Sequence, residues 1–303
     1  MDALKSGHAW TTDPIERHRF NIKRARVRDV MIAAYPGSGS ALISNILTEL
    51  GFAHLDPYSE VLDADGTAAV IPDMVPYRSR LAATAAADAA GHTGGSGIRF
   101  VKNHQAPRHL AGVPFGGAVL LVRDPRDAIY SSYRYFRGFS RFWWPDSDKG
   151  QGTFGEYLDG LGVNDEPPIE GWVDFYRAWH ATLPTLPRHA ILRFEDLKTD
   201  PVAVVATLLR SFGVPKPEAS INRAVERSSF EHMRAHEERI VAGQADASAA
   251  GQSMLMRRGK VNEWREWFDD SALAARFLGP DLVEVASLFG YRLGRERNDY
   301  GGR

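Results

Sequence analysis

Apolar residues fall in short unbroken runs, each closed by turn residues and most followed by a stretch of helical character. Val30 to Ala34 is continuous and brief, as a buried strand should be, and Pro36-Gly37-Ser38-Gly39 follows at once. Ala41 to Leu50 then carries a helical pattern that Gly51 ends. The runs Ile98–Val101, Ala118–Val122 and Ala190–Leu192 predict three further strands. Asp124 and Pro125 supply an N-cap and a first-turn proline for a helix reaching about Phe136. A second helix is predicted from Pro201 to about Phe212. Strands that alternate with helices imply an α/β fold, a parallel sheet flanked by helices on both faces. Three stretches break the pattern and read as surface loops: Ala82–Gly97, Gly138–Gly155 and Ala235–Gln252, the last two as mobile candidate lids. There is no internal repeat and no clear linker, so residues 1–28 read as a lead-in and 29–303 as one domain.

Composition narrows the function classes. The 303 residues are 44% hydrophobic and 25% charged, the balance of an ordinary globular chain. With a net charge of −1, an anion site has to be a local cluster, and a dedicated nucleic-acid binder, normally a basic domain, is disfavoured. The absence of cysteine removes disulfides, thiolate catalysis and cysteine metal sites together. Met1 to Trp10 lacks the apolar core of a signal peptide, and no run approaches the ~18 apolar residues of a membrane span. These features predict a soluble, cytoplasmic protein.

In an open parallel sheet ligands bind beyond the carboxyl ends of the strands, so the residues just after each strand are the candidates for chemistry. After the first strand, Tyr35-Pro36-Gly37-Ser38-Gly39-Ser40-Ala41 opens a helix whose free amides and dipole can cradle a phosphate. Read alone it is equally a tight strand-to-helix turn, since it lacks the lysine of a Walker A loop and the third glycine of a dinucleotide fingerprint. After the second strand comes Lys102-Asn103-His104. A histidine there can take a proton from an attacking hydroxyl at neutral pH, with Lys102 on the same side of the strand. After the third come Arg123 and, in the second turn of the helix, Ser131, a plausible anion site. Arg257-Arg258-Gly259, ahead of Trp264 and Phe268, reads either as a solvated charge run or as a second phosphate contact.

These separated segments, taken in order, resemble the sulfotransferases that use 3′-phosphoadenosine-5′-phosphosulfate (PAPS). The Tyr35–Leu42 loop is similar to the family's Tyr-Pro-Lys-Ser-Gly-Thr-Thr-Trp, which surrounds the 5′-phosphosulfate. Lys102–His104 resembles its Lys-Thr-His element, whose histidine is the catalytic base. Arg123–Ser131 matches Arg-x-Pro-Arg-Asp…Ser, implying that Arg123 and Ser131 hold the 3′-phosphate. Arg257–Phe268 resembles Arg-Lys-Gly…Asp-Trp-Lys…Phe, implying that Arg257, Arg258 and Gly259 hold the same phosphate. Phe194-Glu195-Asp196 and Ser228-Ser229-Phe230…Met233 resemble adenine-side segments, which would put Phe194, Ser228 and Phe230 near the base. The resemblance implies a single-domain fold akin to P-loop nucleotide kinases, no metal, PAPS as donor and 3′-phosphoadenosine-5′-phosphate (PAP) as product. The acceptor would be a small molecule bearing a hydroxyl or amine, with a homodimer left open.

Two departures from the family pattern bear on chemistry. Gly37 stands where the family has the lysine that contacts the departing bridging oxygen, and Leu42 stands where its tryptophan stacks on adenine. Losing one such donor typically costs ~3–4 kcal/mol of transition-state stabilisation unless another group replaces it. Lys102 is the expected substitute, and Phe194 and Phe230 would carry more of the adenine contact. Gly37 also keeps open a binding-only homologue, while the missing GxxxxGK[ST] loop disfavours a kinase. Tyr133, Tyr135, Phe136, Phe139, Phe142, Trp143 and Trp144 are expected either to line a pocket for a bulky or aromatic acceptor or to be core.

Overall fold

In the structure, a computed structural model, the described residues are 14–58, 60–62, 68–70, 97–140, 149–242 and 256–294. Helix α1 (Pro14–Asn21) precedes the first strand, β1 (Val30–Ala34), and helix α2 (Ser40–Glu49) follows the loop after it. Next come β2 (Ala53–Leu55), a small antiparallel pair β3 (Glu60–Leu62) and β4 (Ala68–Val70), then β5 (Arg99–Asn103) and β6 (Gly117–Val122). Helix α3 (Pro125–Tyr135) leads on to α4 (Phe154–Asp159), α5 (Pro168–Thr182) and β7 (His189–Arg193). The chain closes with α6 (Phe194–Thr199), α7 (Pro201–Ser211), α8 (Glu218–Arg227), α9 (Phe230–Ala242), α10 (Ser271–Arg276) and α11 (Pro280–Leu288).

One five-stranded sheet in the order β2-β5-β1-β6-β7, parallel throughout, organises these elements. Every residue of β1 and β6 is buried, as central strands covered on both faces must be. Alternate residues serve opposite faces. Val30, Ile32, Val119 and Leu121 pack with Ile43, Ile46 and Leu47 of α2 and with α7, whereas Met31, Ala33, Leu120 and Val122 meet Ile129 of α3 and Trp172, Tyr176 and Trp179 of α5. The helices after the adjacent strands β1 and β6 thus lie on opposite faces, and the crevice between those strands' carboxyl ends is the topological switch point where such sheets bind ligands. Residues Ala34, Asn103, Val122 and Arg193 end their strands at that edge, brought level to within a residue by the parallel register.

The strands and helices predicted from periodicity are present, each within about two residues of its expected ends. Two loop expectations change. The Ala235–Gln252 stretch starts as the last turns of α9, which runs to Ala242, and residues 243–252 lie outside the described ones, as do 82–96. The Gly138–Gly155 stretch ends in α4, whose Thr153 N-cap and Glu156 form a capping box. Helix α1, within the expected lead-in, packs on the segment after β2: Arg17 Nε donates to the Tyr58 carbonyl at 2.8 Å and Asn21 Nδ2 to the Pro57 carbonyl at 3.0 Å. No helix among the described residues is long and apolar enough to cross a membrane.

Candidate active site

The loop after β1 is a tight turn, in which Ser38 N donates to the Tyr35 carbonyl at 3.1 Å. Proline at its second position and Gly37 at its third, with φ +88°, are the signature of a type II turn. A β-carbon on Gly37 would sit 2.2 Å from the Ala128 carbonyl oxygen of α3, so both backbone angle and space require glycine. Gly39, at φ +92°, is similarly confined, its absent β-carbon 2.4 Å from the Phe194 ring. Tyr176 fixes the loop from beneath: its hydroxyl donates to the Leu121 carbonyl at 2.8 Å, accepts from Tyr35 N at 3.3 Å and pairs with Ser38 Oγ at 3.0 Å. Gly39 caps α2 without a side-chain hydrogen bond, and the first turn carries no acidic residue, so the leading amides of α2 are available to an anion.

Gly37→Lys, which would restore the family's residue, is therefore expected to lower stability rather than recover chemistry. Left-handed strain and the clash with α3 together cost about 1–3 kcal/mol, several degrees in melting temperature. Thermal denaturation checks this: an unchanged midpoint with faster turnover would mean that the turn tolerates lysine.

Arg123 leaves β6 and bridges the site. Its Nη1 donates to the Gly37 carbonyl and its Nη2 to the Lys260 carbonyl, both at 2.8 Å, and its guanidinium lies 4.6 Å from the centre of the Phe194 ring. Next to it, Arg126 and Asp127, which sequence reasoning treated only as part of a motif, have structural work. Arg126, fully buried, forms a two-point pair with Asp124 and stacks 3.7 Å from the Trp264 ring. Asp127 accepts from Asn262 N at 2.7 Å and Trp264 N at 2.8 Å, fastening the 257–264 strap onto α3. Ser131 stands one helical turn beyond Asp127 and so shares its face toward the strap, where Arg257 lies 5.9 Å from the Tyr130 ring. Arg257 is paired with Glu263 and Arg258 with Glu266. A phosphate entering there exchanges one anionic partner of each arginine for another.

On the opposite side of the loop, Phe230 lies against Gly259 and packs with Leu42, Met233 and Met256. Phe194 is only 5% exposed, beneath Gly39 and Arg123, so it serves as a floor, and the open apolar surface belongs to Leu42 and Phe230. Ser228 Oγ and Arg123 Nε are buried polar atoms with no hydrogen-bond partner among the described residues. Unpaired buried polar atoms are costly, and few occur in native structures.

His104 follows β5 on the other flank of the loop. Its Nδ1 is 2.6 Å from the Ala34 carbonyl. A carbonyl only accepts, so Nδ1 carries the proton and the lone pair is on Nε2. Burial, then the neighbouring Lys102 ammonium, pushes its pKa down to about 3. Lys102, half-buried, pairs with the fully buried Asp56 at 3.1 Å. His18 of α1 is likewise lowered to about 4, chiefly by burial.

Both histidines are neutral when folded and protonate below pH 6.5 when unfolded, so their contribution is present above 6.5 and fades as pH falls toward their folded values. For His18 that is on the order of 3 kcal/mol. Glu195, buried and raised to about 7, acts in the opposite direction: its contribution is present below pH 4.5 and is lost as pH rises through 7. Asp127, also raised by burial, acts with Glu195, whereas Glu156 and Asp159, held low by hydrogen bonds to Thr153 and Arg276, act with the two histidines, so the thermal midpoint should fall between pH 6.5 and 4.5, and fall less in His18→Gln. Equal slopes in both proteins would refute this.

Of the aromatic residues expected around an acceptor, Tyr133 is 3% exposed and belongs to the core, its hydroxyl donating to the Gly152 carbonyl at 2.8 Å. Tyr135 and Phe136 are half-buried, at the start of a π-turn over Phe136–Ser140. Phe142, Trp143 and Trp144 lie outside the described residues, as does the side chain of Phe139.

Against known proteins, the model of the sulfotransferase domain matches residues 27–277. The chain belongs to the sulfotransferase family. Its relatives are distant. Sulfotransferase 1 family member D1 of Rattus norvegicus is 25% identical over 260 residues, covering 80% of this chain and 79% of that protein. Sulfotransferase 2A1 of Mus musculus is 23% identical over 178 residues, 57% of this chain and 59% of that one. The mouse sulfotransferase SULT7A1, solved in complex with PAP, superposes with a TM-score of 0.59 at 15% identity over 91% of each chain, a likeness of fold. In this sulfotransferase the loop, Lys102, His104, Arg123 and the strap meet at one edge of the sheet, although they are spread from residue 35 to residue 260.

Proposed function

We propose that the protein transfers the sulfuryl group of PAPS to a hydroxyl or amine of a small-molecule acceptor and releases PAP. The observation that carries this is the tautomer of His104, fixed by Ala34 so that Nε2 keeps its lone pair beside the phosphate-cradling loop. The donor supplies a sulfur activated by a nucleotide phosphate leaving group. His104 Nε2 takes the acceptor's proton as the acceptor oxygen or nitrogen bonds to sulfur and the sulfur–oxygen bond to the 5′-phosphate breaks. The amides of α2 and the Lys102 ammonium stand where charge grows on the departing phosphate, and a positioned cation in a partly dry site is worth several kcal/mol there. Arg123, Ser131, Arg257, Arg258 and Gly259 hold the 3′-phosphate, while Leu42, Ser228 and Phe230 take the adenine over the floor made by Phe194.

We place the acceptor beside the Phe136–Ser140 turn, which favours a bulky or aromatic body, and place the protein in the cytoplasm, in keeping with a chain that has no cysteine. A radiolabelled PAPS assay against a panel of hydroxyl and amine acceptors, run beside calorimetry with PAP, tests the reading. Label transfer supports it. PAP binding with no transfer to any acceptor would make the protein a nucleotide binder.

A further inference from the structure

Two side chains in the proposed mechanism, Lys102 and His104, come from the end of one strand, yet neither is held by that strand alone. Lys102 Nζ reaches Asp56 Oδ2 at 3.1 Å, and the other oxygen of the same carboxylate accepts the Tyr58 backbone amide at 3.1 Å. The Tyr58 hydroxyl in turn accepts the His104 backbone N–H at 2.7 Å. The Tyr58 ring lies between two imidazoles, His18 at 4.7 Å and His104 at 5.1 Å between ring centres. Asp56 and Tyr58 thus touch both members of the pair from a segment of three residues just after β2.

We propose that Asp56 and Tyr58 are positioning residues for sulfuryl transfer, setting Lys102 and His104 in register, with helix α1 as the clamp that holds them. This rests on the reading of His104 as the base. The clamp contacts are the Arg17 and Asn21 bonds to the Tyr58 and Pro57 carbonyls, joined by His18 Nε2 at 3.1 Å from Asn103 Oδ1. Asn103 is the residue between Lys102 and His104, and its own amide group donates to the Gln105 carbonyl at 2.7 Å. Helix α1 therefore grips the catalytic strand end twice, once through the Asp56–Tyr58 segment and once through Asn103.

A lysine on a flexible stem is an effective transition-state cation only where it is held, and the buried Asp56 carboxylate holds it. His104 has its ring fixed by Ala34, but its backbone sits past the end of the ladder, and the Tyr58 hydroxyl supplies the missing constraint. Small displacements of a base cost large factors in rate without touching the binding of the nucleotide's far end.

The test uses the full chain. In Tyr58→Phe, which keeps the stacked ring, and in Asp56→Asn, turnover should fall about tenfold to a hundredfold while PAP affinity stays within about twofold. Asp56→Glu, which restores the charge, should recover part of the loss. The decisive readout is a pair of double-mutant cycles, since residues acting through a common partner are not additive. Tyr58→Phe should cost nothing further in a His104→Ala background, nor Asp56→Asn in a Lys102→Ala background, and losses that simply multiply would overturn the proposal. Nitrogen NMR of the His104 imidazole serves as an arm independent of activity. In the wild type it should report a single Nδ1–H tautomer, and in Tyr58→Phe a shifted or exchange-broadened signal. An unchanged His104 signal refutes the role of Tyr58 whatever the enzyme does, whereas absence of label transfer by the wild type refutes the transferase reading instead.

Discussion

Replacing His104 with alanine is expected to lower turnover about 10³-fold, the usual worth of a positioned general base, with PAP affinity unchanged within about twofold. The split follows from geometry. His104 bonds to the Ala34 carbonyl and lies on the Lys102 side of the loop, whereas the groups proposed to hold the nucleotide are Arg123, which bonds to the loop and the strap, and its neighbours. The same reading fixes the pH profile. Because burial and Lys102 lower the folded-state pKa of His104 to about 3, its neutral form persists well below neutrality. The profile of kcat/KM for the donor, which reports the free enzyme, should stay flat from pH 8 to about 5 instead of falling near the ordinary histidine value. Steady-state kinetics of the wild type across that range, with single-turnover assays of His104→Ala, check both. A loss below about tenfold would assign the base elsewhere.

Arg123→Ala should be the most damaging single change at the donor's other end, weakening PAP binding about 10²–10³-fold. Arg123 is 5% exposed and reaches two backbone carbonyls, Gly37 in the loop and Lys260 in the strap. Its removal deletes a buried cation and unties the loop from the strap at this point, and truncating a buried, hydrogen-bonded charge typically costs about 2–5 kcal/mol. It also leaves the buried Asp127, 3.5 Å away, without its cation. Arg123→Lys keeps the charge but cannot span both carbonyls, so it should fall between the two. Calorimetry with PAP measures the effect and thermal denaturation separates it from unfolding. A change in affinity of less than about threefold would place the 3′-phosphate elsewhere.

Much of the scaffold was legible because its signals are local. Val30–Ala34, Gly117–Val122 and the helix after Asp124-Pro125 announce themselves by apolar continuity and capping chemistry, and they carry the loop and Arg123. Helix α5 was missed although Trp172, Phe175, Tyr176 and Trp179 have helical spacing, and with it went Tyr176, the support of the loop. The strand β2 is three residues long, too short for any periodicity to show, so Asp56 and Tyr58 gave no signal at all.

Gly37 marks the boundary between what sequence and structure each decide. By itself the sequence determined the class of fold and the family, and pointed to the residues that follow the strand ends, because strand periodicity, caps and ordered motifs are written in neighbouring positions. In the sequence Gly37 is only a missing lysine. The tertiary structure decided that it is a required glycine, pressed against the Ala128 carbonyl in a left-handed turn. It also decided that Phe194 is buried beneath Gly39 and Arg123, that Asp127 fastens the strap, and that helix α1 reaches the carboxyl end of β5. Each of these depends on atoms tens of residues apart meeting within a few ångströms, which no local pattern encodes.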